Sequence, residues 1–283
     1  VADVPADSRV FLSIGHHSDL VWQFPYAGYD AIREKQFDTL LRFLDRYENC
    51  HIFVEQAELL RRYISAHPES LEKFRSAVAS GRLALTGGES IPDLNLCCGE
   101  SLVRNLQAGR AYYRDTFGVD VTVACESDAF GMCGQLPQIL TRSGYRFLLP
   151  GRRPAFPREV PGNVPFRWRG VDGSDITVTP AAEFVGHVGH VINLPVVCSE
   201  LERLRESVME VRTSDFPGDM FVQYMTEVEP LREELFGIVD AANRADGTRM
   251  VEFGSIYEYC ARIDDSRLPV VHGEFNPTFT GCY

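Results

Sequence analysis

Apolar and polar positions along this chain follow two rhythms, and the switches between them divide it into strand and helix units. The run "RVFLSIG" (9–15) is apolar and closed by glycine, which predicts a buried strand. In "AIREKQFDTLLRFLDRY" (31–47), Ile32, Phe37, Leu40, Leu41 and Leu44 recur near one face at a spacing of 3.6, which predicts a helix. "HIFVEQ" (51–56) reads as a second strand, and 57–80 as two helices broken at Pro68. "RLALTGG" (82–88) predicts a third strand, followed by a helix over 100–117. "VTVACES" (121–127) and "RFLLP" (146–150) predict strands four and five, with a short helix between them.

A Pro-rich loop (150–165) precedes "FRWRG" and "SDITVTP", which flank the turn signal Asp172-Gly173 and predict an inserted hairpin. A charged helix (198–213), the strand "MFVQYM" (220–225), a helix (230–245), "MVEF" (250–253) and a last helix (255–264) complete the series. Repeated strand–helix units imply mostly parallel strands joined by right-handed crossovers. Periodicity alone leaves a closed barrel and an open doubly wound sheet both standing. In either fold, ligands gather at the carboxyl ends of the strands.

Those ends are rich in titratable groups. Strand one runs into His16, His17, Ser18 and Asp19, and strand two carries Glu55. The third leads to Glu89, Asp93 and Asn95, the fourth to Glu126 and Asp128, and "MFVQYM" to Glu227 and Glu229. Polar residues collect at loop starts as caps and turn formers in any case. Recurrence on five strands is harder to explain that way, because converging carboxylates repel unless they share a cation or stay protonated. On an extended segment His17 and Asp19 point the same way, so both reach one ion, and imidazole with carboxylate is a usual set for catalytic zinc. In "DAFG" (128–131), Asp128 stands either as a helix cap or as a nucleophile or metal ligand, with Phe130 packed beneath and Gly131 permitting a tight turn.

Composition narrows the class. The 283 residues are 45% hydrophobic and 24% charged, as in an ordinary globular protein. A net charge of −12 argues against a nucleic-acid partner. No apolar run approaches the roughly 18–20 residues of a membrane span. "VADVPADSRV" has neither the basic nor the apolar region of a secretory leader, and its lack of Met suggests a chain processed or excised from something longer. Eight scattered cysteines with no C-x-x-C pair suit a reducing, cytoplasmic compartment. The oligomeric state is not readable from the sequence.

Taken in order, "GHHSDLVW", "GRLALTGGESIPDLNL", "GESLVRNLQAG", "DAFGMCGQLPQIL", "GYRFLLPG" and "GEFNPTFTGCY" resemble glycoside hydrolase family 38, the retaining α-mannosidases, over nearly the whole chain. The resemblance implies a seven-stranded (β/α) barrel, with the hairpin as an insertion. It makes residues 1–283 a single catalytic domain, cut before the family's helical and β-sandwich domains. It further implies one Zn²⁺ per chain, held by His17, Asp19 and Asp128, with Asp128 also the nucleophile. Zinc would hold neighbouring hydroxyls of a distorted sugar ring and so favour mannose, whose 2-hydroxyl is axial. Glu227 matches the position of the acid/base, with Glu229 as its near rival. Trp22, Asp93 and Glu229 are the substrate-binding candidates, Trp22 because an aromatic face suits the C–H surface of a sugar, with core packing as the alternative use of its ring.

Two departures from the family pattern stand out. "MTEVE" offers Glu without glycine where the family has Asp after a Gly-rich turn, and "NPTFTGCY" lacks the family's fourth ligand, a His. Asn276 or a water would have to substitute, since His272 comes too early. His16, His187 and His190 read as rim and loop residues, and His51 as structural. The function expected is hydrolysis of α-mannosides or mannose-containing oligosaccharides. Two alternatives remain: a metal-dependent polysaccharide deacetylase-like hydrolase, with the Asp as base, and a non-catalytic carbohydrate-binding barrel.

Overall fold

The computed structural model describes residues 7–150, 164–179, 201–213, 218–226, 228, 230–245, 247 and 249–276. Glu227, Glu229, His187, His190 and most of the Pro-rich loop lie outside the described residues. The fold is mixed α/β with largely parallel sheets, and the chain groups into two compact units.

The first unit comprises Val1–Phe53, Leu59–Ala84 and Ala182–Tyr259. Its centre is β1 (Arg9–His16), buried at every residue after Arg9. A strand with no inward–outward alternation is one covered on both faces, as parallel sheets require. β1 pairs in parallel with β2 (Ile52–Val54) at Ile14↔Ile52 and with β8 (Met220–Thr226) from Val10↔Met220 to His16↔Thr226. It also pairs with β9 (Met250–Phe253) from Arg9↔Met250 to Leu12↔Phe253, and β3 (Leu83–Leu85) flanks β2. Gly15 is obligatory, because a Cβ there would stand 2.6 Å from the Phe53 ring and 2.9 Å from the Phe53 carbonyl oxygen.

The helix α1 (Tyr26–Arg46) buries Phe37, Leu40, Leu41 and Leu44 as its periodicity predicts. The upper part of that face differs. Ile32 is only half-buried, and Arg33 takes the inward position at 2% exposure. The expected break at Pro68 appears as a single 3-10 turn (Pro68–Ser70) between α2 (Ala57–Ala66) and α3 (Leu71–Ala79). Three later helices follow the predicted order: α6 (Leu201–Thr213), α7 (Leu235–Arg244) and α8 (Ile256–Ala261).

The second unit comprises Val54–Glu58, Leu85–Ala181 and Cys260–Tyr283. Its sheet runs β10-β6-β7-β5-β4. Here β4 (Val123–Glu126), β5 (Phe147–Pro150) and β7 (Asp175–Val178) are parallel neighbours, while β6 (Phe166–Arg169) pairs antiparallel with β7 across the predicted Asp172-Gly173 turn. The hairpin is therefore real, and Gly173 supplies its positive φ of 86°. Pattern reading missed β10 (Val270–His272), which pairs in parallel with β6. It is only three residues long, and the adjacent Trp168, Phe166 and Phe275 hold that corner.

α4 (Gly99–Phe117) ends at Gly118, whose φ of 73° is the left-handed closure expected of a helix C-terminus. The same helix lies directly on the turn after β3. A Cβ on Gly109 would come 2.2 Å from the Gly88 carbonyl carbon and 2.5 Å from the Glu89 nitrogen. α5 (Leu136–Arg142) completes the unit. Among the described residues, no helix is long and apolar enough to cross a membrane.

Candidate metal centre and active site

At the end of β1, burial alternates. His16 and Ser18 are buried, whereas His17 and Asp19 are partly exposed. His17 and Asp19 thus share the more exposed positions, in keeping with their two-residue spacing. His16 faces the interior, with Nδ1 3.2 Å from the Thr226 carbonyl oxygen and 2.9 Å from the Thr226 hydroxyl. Burial pushes its pKa down to about 3, against the backbone carbonyls of Thr226 and Gln36, which favour the cation. His16 is therefore a neutral interior residue, which corrects its reading as part of a rim. Trp22 is 57% exposed, so its ring is not part of the core.

The end of β4 repeats the alternation. Glu126 and Ser127 are buried, Asp128 is partly exposed, and Phe130 is buried as expected. Glu55 and Glu126 are 0% and 2% exposed, so these two acids belong to the interior and not to a solvent-facing rim. Ser127 Oγ donates to Glu55 Oε2, and Gln56 Nε2 donates to Glu55 Oε1. Desolvation, and then repulsion from Glu55, raises the Glu126 carboxyl well above its ordinary range.

Gly131 is required for space, not for a left-handed φ. A Cβ there would meet Asn95 Nδ2 at 2.3 Å and Asn276 Oδ1 at 2.5 Å. Asn95 Nδ2 donates to that same Asn276 oxygen at 2.9 Å. Asp93 Oδ1 accepts from the Asn95 backbone nitrogen at 3.1 Å, closing a local turn.

His17 and Asp19 of the first unit and Asp128 of the second are each partly buried, and their side chains are of the kinds that could hold a metal ion. A neutral imidazole and two carboxylates make a donor set that zinc accepts with a position left open for substrate or water. Sequence reading named these three. It missed Arg33, whose Nη1 donates to the Asp19 carbonyl oxygen at 3.1 Å, because a charged residue on a helix face is ordinarily assigned to solvent.

The sequence profile of the glycosyl hydrolases family 38 N-terminal domain matches residues 9–277. Among curated relatives, alpha-mannosidase G of Dictyostelium discoideum is 25% identical over 273 residues, covering 93% of this chain and 24% of that protein. Human alpha-mannosidase 2C1 is 28% identical over 187 residues, 62% of this chain and 17% of that protein. This chain therefore spans about a quarter or less of these relatives. The crystal structure of an alpha-mannosidase from Enterococcus faecalis V583 superposes with a TM-score of 0.77 at 19% identity, covering 95% of this chain and 31% of that one, a likeness of fold.

Proposed function

The chain belongs to glycosyl hydrolase family 38 through that family's N-terminal domain, and from that membership we propose that it carries the active site of a retaining α-mannosidase-type hydrolase. The reading takes residues 1–283 as one catalytic domain of the seven-stranded barrel type. Its substrate is an α-mannoside or a mannose-containing oligosaccharide. The observation that carries it is the match of residues 9–277 to that family's N-terminal domain, with His17 and Asp19 just past the end of β1 and Asp128 just past the end of β4. Those donors fit Zn²⁺, which when bound would hold adjacent hydroxyls of the sugar ring. The free thiols of Cys50, Cys97, Cys98, Cys125, Cys133 and Cys260 support a reducing, cytoplasmic setting.

The proposed chemistry runs through two carboxyl groups. The Asp128 carboxylate attacks the anomeric carbon as the glycosidic C–O bond breaks, and Glu227 gives its proton to the departing oxygen. In the second half, Glu227 takes a proton from water, which attacks the anomeric carbon and releases Asp128. In the sequence Glu227 directly follows Thr226, the last residue of β8. Retention requires the two carboxyls to stand about 5–5.5 Å apart. Trp22 offers an exposed ring to the sugar's apolar face, and Asp93 and Glu229 are assigned to its hydroxyls.

Incubation with a fluorinated mannosyl donor, followed by peptide mass spectrometry, tests the proposal. A covalent mannosyl adduct on Asp128, absent from Asp128→Asn, is expected. Undiminished labelling of that variant, or release of acetate from an acetylated polysaccharide with no adduct formed, would overturn it.

A further inference from the structure

Asp19 lies in the loop after the last residue of β1, and a metal ligand must be held to within a fraction of an ångström. Within the first unit, the Arg33 side chain reaches back to that loop, where Ser18 Oγ also donates to the Asp19 carbonyl oxygen at 3.4 Å. Arg33, on the second turn of α1, donates from Nη1 to the Asp19 carbonyl oxygen at 3.1 Å and from Nη2 to Asp30 Oδ1 at 2.6 Å. Its side chain is 3% exposed. A guanidinium so buried is tolerable only where its charge is balanced; its two terminal nitrogens have partners, while Nε has none among the described residues.

Asp30 supplies that balance and is itself clamped from α2. Arg62 forks onto it, Nε to Oδ1 at 2.8 Å and Nη2 to Oδ2 at 2.5 Å. The Arg62 hydrogen bond is the largest influence holding Asp30 down to about 2, with Arg33 adding to it. Arg62 also lies over the Tyr26 ring at 5.0 Å, and Arg33 over the Tyr29 ring at 5.8 Å, so aromatic faces at the start of α1 restrict both guanidinium planes. The contacts run from α2 through Asp30 and Arg33 to the backbone of Asp19.

We propose that Arg33 is a positioning residue for the metal centre, aligning Asp19 through its carbonyl while Asp30 and Arg62 lock the guanidinium. The assignment rests on the metal reading of His17, Asp19 and Asp128. A purely structural Arg33 would affect folding alone. A positioning Arg33 sets the zinc affinity of the folded protein, because the groups behind metal ligands typically control affinity by about 10–100-fold.

The test is competition for zinc between a chromophoric chelator and the 283-residue chain, with the folded fraction of each sample read by circular dichroism. Arg33→Met, near in volume and uncharged, should weaken zinc binding per folded molecule by about 10–100-fold. Arg33→Lys should recover part of the loss, since it keeps the charge beside Asp30 but not the two-pronged geometry. If Arg33→Met does not fold, Asp30→Asn decides, because Asp30 is 40% exposed in its side chain and its loss loosens Arg33 without removing it. Wild-type affinity in the folded variant overturns the inference alone. A wild-type chain with no affinity for zinc overturns the metal reading and takes the inference with it.

Discussion

His16 permits a quantitative test, because its environment and its neighbour's differ so sharply. The ring is 8% exposed, and burial lowers its pKa from 6.5 to about 3. The folded protein therefore refuses a proton that the unfolded chain accepts anywhere below 6.5. The stability this contributes is fully present above pH 6.5 and is lost as pH falls toward 3. Each pH unit in that window removes up to about 1.4 kcal/mol, and the interval from 6.5 to about 3 amounts to about 5 kcal/mol. That is a large part of the 5–15 kcal/mol that ordinarily holds a domain folded. In His16→Asn an amide nitrogen can stand near Nδ1 and keep the bond to the Thr226 carbonyl, but nothing titrates. Urea unfolding of both proteins from pH 7.5 to 4.5, with a chelator present so that no metal contributes, should give a difference curve. The variant is less stable at pH 7.5, because the ring leaves a cavity, and the gap closes as pH falls. Parallel curves throughout would refute the assignment of His16 as a buried neutral ring.

Two further outcomes follow from buried geometry. Glu126 has its pKa raised, so the fold binds a proton more readily than the unfolded chain does; its contribution is full below the ordinary value of 4.5 and declines as pH rises. Glu126→Gln should therefore gain on the wild type with rising pH, by at most about 1.4 kcal/mol per unit, in guanidinium midpoints at pH 4.5 and 8. Gly109→Ala has two opposed effects: alanine favours a helix by about 1 kcal/mol, while its Cβ would meet the Gly88 and Glu89 backbone at 2.2 and 2.5 Å. Backbone on both sides cannot yield as a flexible side chain would, so a net loss of about 1–3 kcal/mol is expected in chemical denaturation, and a rise in stability would refute the close approach.

Sequence periodicity located what depends on local spacing. β1 was legible because seven consecutive buried residues leave no alternation to misread, and the hairpin because Asp172-Gly173 has few other uses. β10 was not, because three residues between Pro269 and Gly273 are too short to show a period. The centre divides the same way. His17 and Asp19 stood out as candidates because two-residue spacing on an extended chain is a geometric statement in itself. Arg33 was invisible because a helical pattern sends every arginine to solvent. Its inward turn is stabilised by an aspartate three residues back and, through it, by Arg62 on another helix.

The acids at the strand ends show why composition misleads where alternation does not. Glu55, Glu126 and Asp128 are alike in sequence, yet two are sealed in the interior and one reaches partial exposure. From Glu126 to Asp128 is two residues, which on an ideal strand would place both on one face. β4 ends at Glu126, and the backbone leaves strand geometry there, which separates them. The histidines make the same point with a single step. His16 falls within β1 and is neutral because water is excluded, while His17 lies just past the strand end and is partly exposed. A one-residue shift in the register of β1 against β8 would exchange their surroundings. The seven-residue pairing from Val10↔Met220 to His16↔Thr226 is thus as much a determinant of the proposed centre as the ligands themselves.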